Sequence, residues 1–167
     1  MKFIKNLFFL FLIIGLFSCN RFEKVETDDY VIKIPSVKMS ELSQGDIDNY
    51  SFKGNKTNYS IVVLKKNKTS FVDVNKCIAE ELAFFIKGRK TEKITTEEKE
   101  INGQKASIVS GVFYENNDST KKVFWHFAVF QSQYYYYILR IYCNTSNLEK
   151  NKKVTSKIIE SFKLKNN

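Results

Sequence analysis

The sequence predicts an α+β fold, a three-layer α/β/α sandwich in which a mainly antiparallel sheet of about six or seven strands carries one helix on each face. Three observations support this prediction. The chain has 167 residues, which is the size of one ordinary domain. Two segments repeat apolar residues at helical spacing. Two long strand-like segments are apolar on both faces, and strands of that kind are covered on both sides.

Short strands are expected in the first half of the chain. Residues 30–34 are rich in β-branched side chains and end at a proline. Residues 50–53 are followed by a predicted hairpin turn at Gly54 and Asn55. Residues 59–64 read YSIVVL and predict a third strand.

The clearest helix is predicted over residues 70–87. Ser70 is the expected N-cap, and Gly88 is the expected residue after the C-cap. Glu80 and Glu81 are expected on the solvated side of this helix. The apolar stripe that faces the sheet consists of Phe71, Val74, Ile78, Leu82 and Phe85.

A β-rich block and a second helix complete the chain. The four strands predicted in the block comprise residues 93–101, 104–114, 121–132 and 133–143. Asn102 and Gly103, between the first two of these strands, are a strong signal for a two-residue hairpin. The second helix is predicted over residues 148–162. Its candidate N-caps are Asn144, Thr145 and Ser146.

The first residues of the chain predict export. Lys2 and Lys5 precede an eleven-residue apolar run over residues 7–17. A helix that spans a membrane needs about 20 apolar residues, because each residue adds only about 1.5 Å to its length. The run is therefore too short to span a membrane and has the length of a signal-peptide h-region.

The residues at the end of this run, Leu16-Phe17-Ser18-Cys19, resemble a bacterial lipobox, although Phe17 departs from the usual small or β-branched residue. The resemblance implies a diacylglyceryl group on Cys19 and cleavage between Ser18 and Cys19. The alternative is an ordinary secretory signal in which the cysteine occurs by chance. With a lipobox, the chain divides into a signal peptide, a polar tether and a folded domain, over residues 1–18, 19–29 and 30–167.

The charge favours a membrane surface over nucleic acid as a neighbour. The formal charge of +9 becomes +7 when residues 1–18 are removed. The only arginines are Arg21, Arg89 and Arg140, and phosphate and base recognition favours the planar fork of arginine. No nucleic-acid partner is therefore expected. The lysines of residues 148–167 either face anionic lipid head groups or form a solvated surface.

Three short motifs resemble the PsbP-like family of small α/β/α sandwiches. They are YVIKIP at residues 30–35, INGQKASIVSG at residues 101–111 and IIESFK at residues 158–163. Bacterial lipoproteins of this class share a similar start, hairpin and closing motif. The resemblance covers residues 30–164 and implies the fold and a general accessory or binding role. It supplies no catalytic residues and no cofactor.

Two cysteines remain once Cys19 is assigned to a lipid. Cys77 and Cys143 are a candidate disulfide, because an exported protein meets an oxidising compartment. Such a bond would close a 66-residue span and contribute about 4 kcal/mol on the loop-entropy model. The alternative is two separate buried thiols.

His126 is the only histidine, so any Ser-His-Asp or Cys-His arrangement has to use it. Its position in the middle of an apolar strand favours a buried histidine with a satisfied hydrogen bond. The sequence contains no nucleophile elbow, zinc-protease helix or phosphate-binding loop. No catalytic, cofactor or metal site is therefore predicted.

A run of tyrosines at residues 134–137 is the most unusual string in the chain. On a strand, Tyr134 and Tyr136 would share one face and form a possible ligand surface. The alternative is that the tyrosines pack under helices, with hydroxyl groups at the rim.

These observations predict a lipid-anchored lipoprotein of the bacterial cell envelope that faces the periplasm. It would act as a non-catalytic binding or accessory module, attached to the membrane through Cys19, with an envelope protein as its candidate partner. The alternatives are an envelope hydrolase that uses His126 and a purely structural envelope component.

Overall fold

The structure is a computed structural model, and it describes residues 22–35, 39–44, 47–53, 58–115, 120–144 and 147–165. The elements follow one another along the chain as β1 (Phe22–Glu26), β2 (Tyr30–Pro35), β3 (Met39–Gln44), β4 (Ile47–Lys53), β5 (Asn58–Asn67), α1 (Val74–Ile86), β6 (Thr91–Ile101), β7 (Gln104–Tyr114), β8 (Lys122–Gln131), β9 (Tyr135–Asn144), α2 (Leu148–Ser161) and β10 (Lys163–Leu164).

A large antiparallel sheet forms the centre of the domain. Its seven strands lie in the order β3-β4-β5-β9-β8-β7-β6, and a second sheet contains β1, β2 and β10. The strand pairs of both sheets are antiparallel. The predicted α+β class and antiparallel sheet are confirmed.

The two faces of the large sheet carry separate hydrophobic cores. On one face, Cys77 and Phe85 of α1 pack against Trp125, Phe127 and Ile138 of the central strands. The other face is covered by α2 together with the three-stranded sheet. The predicted three layers are therefore present, but the layer beside α2 also contains a small sheet that the sequence did not indicate.

Aromatic contacts fix the small sheet to the rest of the domain. Phe162 follows α2, and its ring lies 5.1 Å from that of Tyr30 in β2. The same ring lies 4.5 Å from that of Phe130 in β8. These three side chains are almost fully buried, so they join the small sheet, the end of α2 and the large sheet into one core.

The ends of the helices differ in part from the prediction. Ser70 closes a short 3₁₀ turn, and α1 begins after Asp73, whose carboxylate accepts a hydrogen bond from the Lys76 amide at 2.9 Å. The expectation of Ser70 as N-cap is therefore wrong. In α2 the cap is Asn147, whose side chain accepts from the backbone amide three residues on. The cap of α2 is therefore Asn147, and the expectation of Asn144, Thr145 or Ser146 at this position is wrong.

The predicted turn residues have the expected backbone geometry where the structure describes them. Gly88 has a φ of 68° after the end of α1. Asn102 and Gly103 have φ values of 52° and 79°, which is the geometry of a type I′ hairpin turn between β6 and β7. The predicted turn at Gly54 and Asn55 lies outside the described residues.

The beginning of the domain lies earlier than expected. Phe22–Glu26 form β1, which pairs with β2 from Phe22 opposite Pro35 to Glu26 opposite Val31. The prediction of an unstructured tether over residues 19–29 is therefore wrong for this strand. The reason is that Phe22 and Val25 pack against the core on the α2 face, although their neighbours are charged.

Candidate functional site

A row of polar side chains crosses three strands on the α2 face of the large sheet. Thr95 of β6 lies opposite Ser110 of β7, which lies opposite His126 of β8. Residues directly opposite each other in a sheet point to the same face, so the three side chains form one row. The hydroxyl groups of Thr95 and Ser110 are 2.8 Å apart and hydrogen-bonded. This row lies beside the hydrophobic core of the same face.

A cavity of about 210 Å³ lies above this row, between the sheet and α2. We call it the His126 cavity. Its apolar floor includes Ile108 and Phe124, and α2 contributes Lys152 and Ser156, which are four residues apart on one side of the helix. The complete lining comprises Thr95, Thr96, Glu97, Ile108, Ser110, Phe124, His126, Lys152 and Ser156.

The hydrogen bonds around His126 define its tautomer. Nδ1 lies 3.0 Å from the hydroxyl oxygen of Thr155 in α2. That hydroxyl donates its single proton to the carbonyl oxygen of Lys152, also at 3.0 Å. Thr155 can therefore only accept from His126, so the ring carries its proton on Nδ1. Nε2 is left as an acceptor, and within the described part of the chain no residue is bonded to it.

Burial determines the charge of His126. The residue is 8% exposed, and burial alone lowers the pKa of its ring to about 4. The ring is therefore neutral near pH 7. The prediction of a buried histidine with a satisfied hydrogen bond is confirmed.

The arrangement around His126 differs from a catalytic triad. In a triad, a carboxylate holds Nδ1 and stabilises the charged imidazolium. Here the partner of Nδ1 is the hydroxyl of Thr155, which cannot compensate a positive ring. Ser110 lies opposite His126, but its hydroxyl is bonded to Thr95. Among the described residues, the geometry therefore provides an acceptor for a hydrogen bond rather than a general base for an activated serine.

A buried ion cluster lies on the opposite face, beneath α1. Glu81 is 1% exposed, and its two carboxylate oxygens accept hydrogen bonds from Lys66 of β5 and from Arg140 of β9, each at 2.7 Å. The expectation that Glu81 is solvated is wrong. It occupies the same helical stripe as Cys77 and Phe85, at four-residue intervals, and that stripe faces the sheet.

The sequence contained a signal for this cluster that the prediction missed. Arg140 stands in a strand that is apolar on both faces, and a charge in such a place needs a partner of opposite sign. Its guanidinium lies 4.5 Å from the centroid of the Phe84 ring, which covers it from the solvent side. The cluster positions α1 on the sheet, and we regard it as structural.

The tyrosine run does not form a shared ligand surface. Tyr134 is 62% exposed in the turn before β9, whereas Tyr136 is 5% exposed and its ring lies 5.8 Å from that of Phe71. The expectation that the two side chains form one surface is therefore wrong, because the strand begins at Tyr135. The alternative, in which the tyrosines pack beneath other elements, agrees with the burial of Tyr136 and Tyr137.

The candidate disulfide between Cys77 and Cys143 is also wrong. Both residues are buried and free. Cys77 belongs to the core beneath α1, and Cys143 belongs to the core beneath α2, so the large sheet separates them. Burial raises the pKa of the Cys77 thiol to about 11 and that of Cys143 to about 12, which keeps both protonated. Cys19 lies outside the described residues.

Two wider depressions lie at the end of the sheet near the β6–β7 turn. One, of about 320 Å³, is lined by Lys68 and the turn residues Gln131 to Gln133. The other, of about 420 Å³, lies beside Val74 and is lined mainly by charged side chains of β6 and β7. Among these three cavities of the described residues, the His126 cavity is the one lined by the nearly buried histidine. In the described ranges no helix has the length and apolar character needed to cross a membrane.

Comparisons with known proteins identify the fold. No family model matches the sequence, and no curated protein matches it. Among solved structures, cyanobacterial PsbP (CyanoP) from Synechocystis is similar with a TM-score of 0.62 and 11% identity, over 89% of this chain and 95% of that protein. The Ran-binding protein Mog1p of Saccharomyces cerevisiae has a TM-score of 0.60 and 11% identity, over 88% and 97%.

A third similar structure comes from a protein of the cell envelope. LpqN of Mycobacterium tuberculosis, described as involved in cell envelope biogenesis, has a TM-score of 0.52 and 13% identity, over 88% of this chain and 92% of that protein. At these identities the comparisons show the fold alone, and the chain has the PsbP/Mog1-like α+β fold. The fold implied by the three sequence motifs is thereby confirmed.

Proposed function

We propose that this protein is a lipoprotein of the bacterial cell envelope, anchored through a lipid on Cys19, and that it acts as a non-catalytic binding or accessory module on the periplasmic side of a membrane. The observation that carries the proposal is the sequence Leu16-Phe17-Ser18-Cys19 directly after an eleven-residue apolar run. One similar structure, LpqN, is described as an envelope-biogenesis protein, which supports the same compartment.

The non-catalytic part of the proposal is supported by the chemistry of the described residues. His126 is neutral and held by a hydroxyl group, and both described cysteines are buried and protonated. The described His, Cys, Asp and Glu residues form no group that could hold a metal ion. One of the similar structures, Mog1p, is described as a Ran-binding protein, so this fold serves binding in at least one case.

The anchor is tested by labelling the full-length chain with radioactive palmitate in a bacterial host. The wild-type protein is expected to carry the label, and its mass is expected to show an acylated N-terminus at Cys19. The variant Cys19→Ala is expected to lose the label. Cys77→Ala is the matched control, since it removes a cysteine of the folded domain and should keep the label. An unlabelled wild-type protein, or a labelled Cys19→Ala variant, would contradict the proposal.

An envelope protein is the proposed partner of the module. Native electrophoresis of membranes solubilised in mild detergent is expected to show the wild-type chain in a species of defined, larger mass. A chain that migrates only as the isolated lipoprotein would favour a structural or small-molecule role instead.

A further inference from the structure

We propose that the His126 cavity binds a small, neutral, polyhydroxylated molecule of the size of one sugar ring. The inference concerns the folded domain and does not depend on the lipid anchor. It rests on the cavity, on the histidine nitrogen that lines it as a hydrogen-bond acceptor, and on the balance of charge and apolar surface around it.

The acceptor is Nε2 of His126. The residue is more than nine-tenths buried, it lines the cavity, and Nδ1 is occupied by Thr155. Nε2 therefore presents a lone pair without a partner among the described residues, and because it is reached from the cavity it can accept a hydrogen bond from a ligand or from water. A hydroxyl group of the ligand fulfils this role.

The remaining polar groups suit several hydroxyls rather than one. Thr95, Ser110 and Ser156 line the cavity, and each hydroxyl can both donate and accept. The hydroxyls of Thr95 and Ser110 already form one bond with each other, which leaves further acceptor capacity on both oxygens. A polyol can therefore exchange hydrogen bonds with the row across the sheet and with α2 at the same time.

The charge of the lining favours a neutral ligand. The cavity has one cation, Lys152, and one anion, Glu97, while His126 is neutral. Lys152 is already paired with Glu149 at 2.9 Å. A charged ligand would therefore find no buried side chain of opposite charge to pair with. Burial of a ligand charge without such a partner is strongly unfavourable.

Size and apolar surface complete the argument. A volume of about 210 Å³ is smaller than that of sites for drug-sized ligands, which begin at about 300 Å³. Phe124 and Ile108 offer buried apolar surface on the floor, against which the C–H face of a ring can pack. Polar groups on the walls above an apolar floor are the arrangement that a single sugar ring requires.

The single histidine makes the test direct. In the full-length protein, solubilised in a detergent without a sugar head group, the imidazole ¹⁵N and ¹H signals belong to His126 alone. Titration with D-glucose, N-acetyl-D-glucosamine and myo-inositol is expected to shift the Nε2 signal in a saturable way with at least one of them. Inorganic phosphate and acetate are the charged comparison. Absence of any saturable shift with the neutral probes, or an equal shift with phosphate, would overturn the proposal.

Two substitutions on α2 locate the binding. Ser156→Leu fills the cavity and is expected to weaken binding of the active probe by about tenfold or more. Lys153→Leu places the same side chain on the exposed side of the same helix and should leave the affinity unchanged. Equal affinity of the Ser156→Leu variant, with native circular dichroism, would show that the probe binds elsewhere.

A sugar ring can be free or can end a glycan chain, and both carry the same chemistry. Titration with the trisaccharide that ends in the active probe separates the two sources. Binding of the trisaccharide indicates a glycan end, whereas binding of the single ring alone indicates a free sugar. Labelling at Cys19 is measured on the same preparation, so failure of the ligand site and failure of the anchor are distinguished.

Discussion

The two faces of the large sheet use polar groups in opposite ways. On the α1 face, Glu81, Lys66 and Arg140 satisfy one another beneath the helix, and aromatic rings fill the space around them. On the α2 face, Thr95, Ser110 and His126 stand in an open row below a cavity. The α1 face also holds the indole Nε1 of Trp125, which is buried without a hydrogen-bond partner among the described residues. A polar group without a partner therefore indicates a ligand site where it also lines a cavity, as His126 does on the α2 face.

The strongest test of the closed face is removal of the charge of Glu81. Glu81→Leu leaves Arg140 without its buried counter-charge, and breaking such a pair costs about 3–5 kcal/mol. We expect the free energy of unfolding, measured with urea, to fall by about this amount. Glu80→Leu is the matched control, since Glu80 is exposed beside Lys76, and its effect should stay within about 0.5 kcal/mol.

A double variant sharpens the result. Glu81→Leu combined with Arg140→Leu replaces the main ion pair by apolar side chains, which should recover part of the lost stability. A loss of stability in the double variant equal to the sum of the losses in the two single variants would mean that the two ions are not coupled.

The open face should respond to pH through His126. Its pKa in the folded state is about 4, below the ordinary value of 6.5, so the unfolded chain binds more protons between these values. The contribution of the neutral His126 ring to the free energy of unfolding is fully present above pH 6.5 and is lost as the pH falls towards 4. Its largest value is on the order of 3 kcal/mol.

The measurement is urea unfolding at a series of pH values in that window. His126→Gln should flatten the pH dependence between pH 6.5 and 5, where few carboxyl groups titrate. If the free energy of unfolding of the variant changes with pH as steeply as that of the wild type, other groups cause the pH dependence. The argument for a buried neutral His126 ring would then fail.

The tightness of the α1 face can be measured at Gly111. A Cβ added at this position would lie 2.6 Å from Cζ2 of Trp125, which is directly opposite on β8. Gly111→Ala should therefore destabilise the domain by about 1–3 kcal/mol, through the cost of overpacking. Thermal unfolding followed by the fluorescence of the single tryptophan reports both stability and the environment of Trp125. An unchanged melting temperature would show that the ring has room to move.

The smallest effect is expected on the open face. Ser156→Leu replaces the hydroxyl oxygen by a carbon and adds two further heavy atoms beside the His126 cavity, compared with the single Cβ added at Gly111. Because the space is present, the change in the free energy of unfolding should be below about 1 kcal/mol. A loss as large as that of Gly111→Ala would mean that both faces are equally filled.

The sequence predicted part of this difference between the two faces of the large sheet. Strands that are apolar on both faces predicted a covered sheet, and the hairpin at Asn102 and Gly103 fixed the pairing of β6 with β7. The register of the neighbouring strands in the large sheet is then fixed by their apolar faces, because a shift of one residue would turn every side chain of a strand to the other face. The large sheet and its two helices were therefore predictable from local patterns, whereas the small sheet was not.

The sites were less predictable because they depend on contacts between distant segments. Glu81 and Arg140 are 59 residues apart, and helical spacing alone placed Glu81 on the solvated side of α1, where it is not. The row from Thr95 to His126 needs the exact register of three strands, and Thr95 carried no signal of its own. The two cysteines were assigned to one face because the sequence did not show which helix covers which side.

The β6–β7 turn also has a consequence for the order in which the domain is completed during synthesis. Asn102 donates from its side chain to the carbonyl oxygens of Glu160 and Phe162, so the hairpin holds the end of α2 from nearly 60 residues away. Lys152 and Ser156, which form the roof of the cavity, are made after the whole sheet. While the chain is still emerging, the α2 face of the large sheet is an exposed apolar surface, and the His126 cavity forms only after α2 has been made.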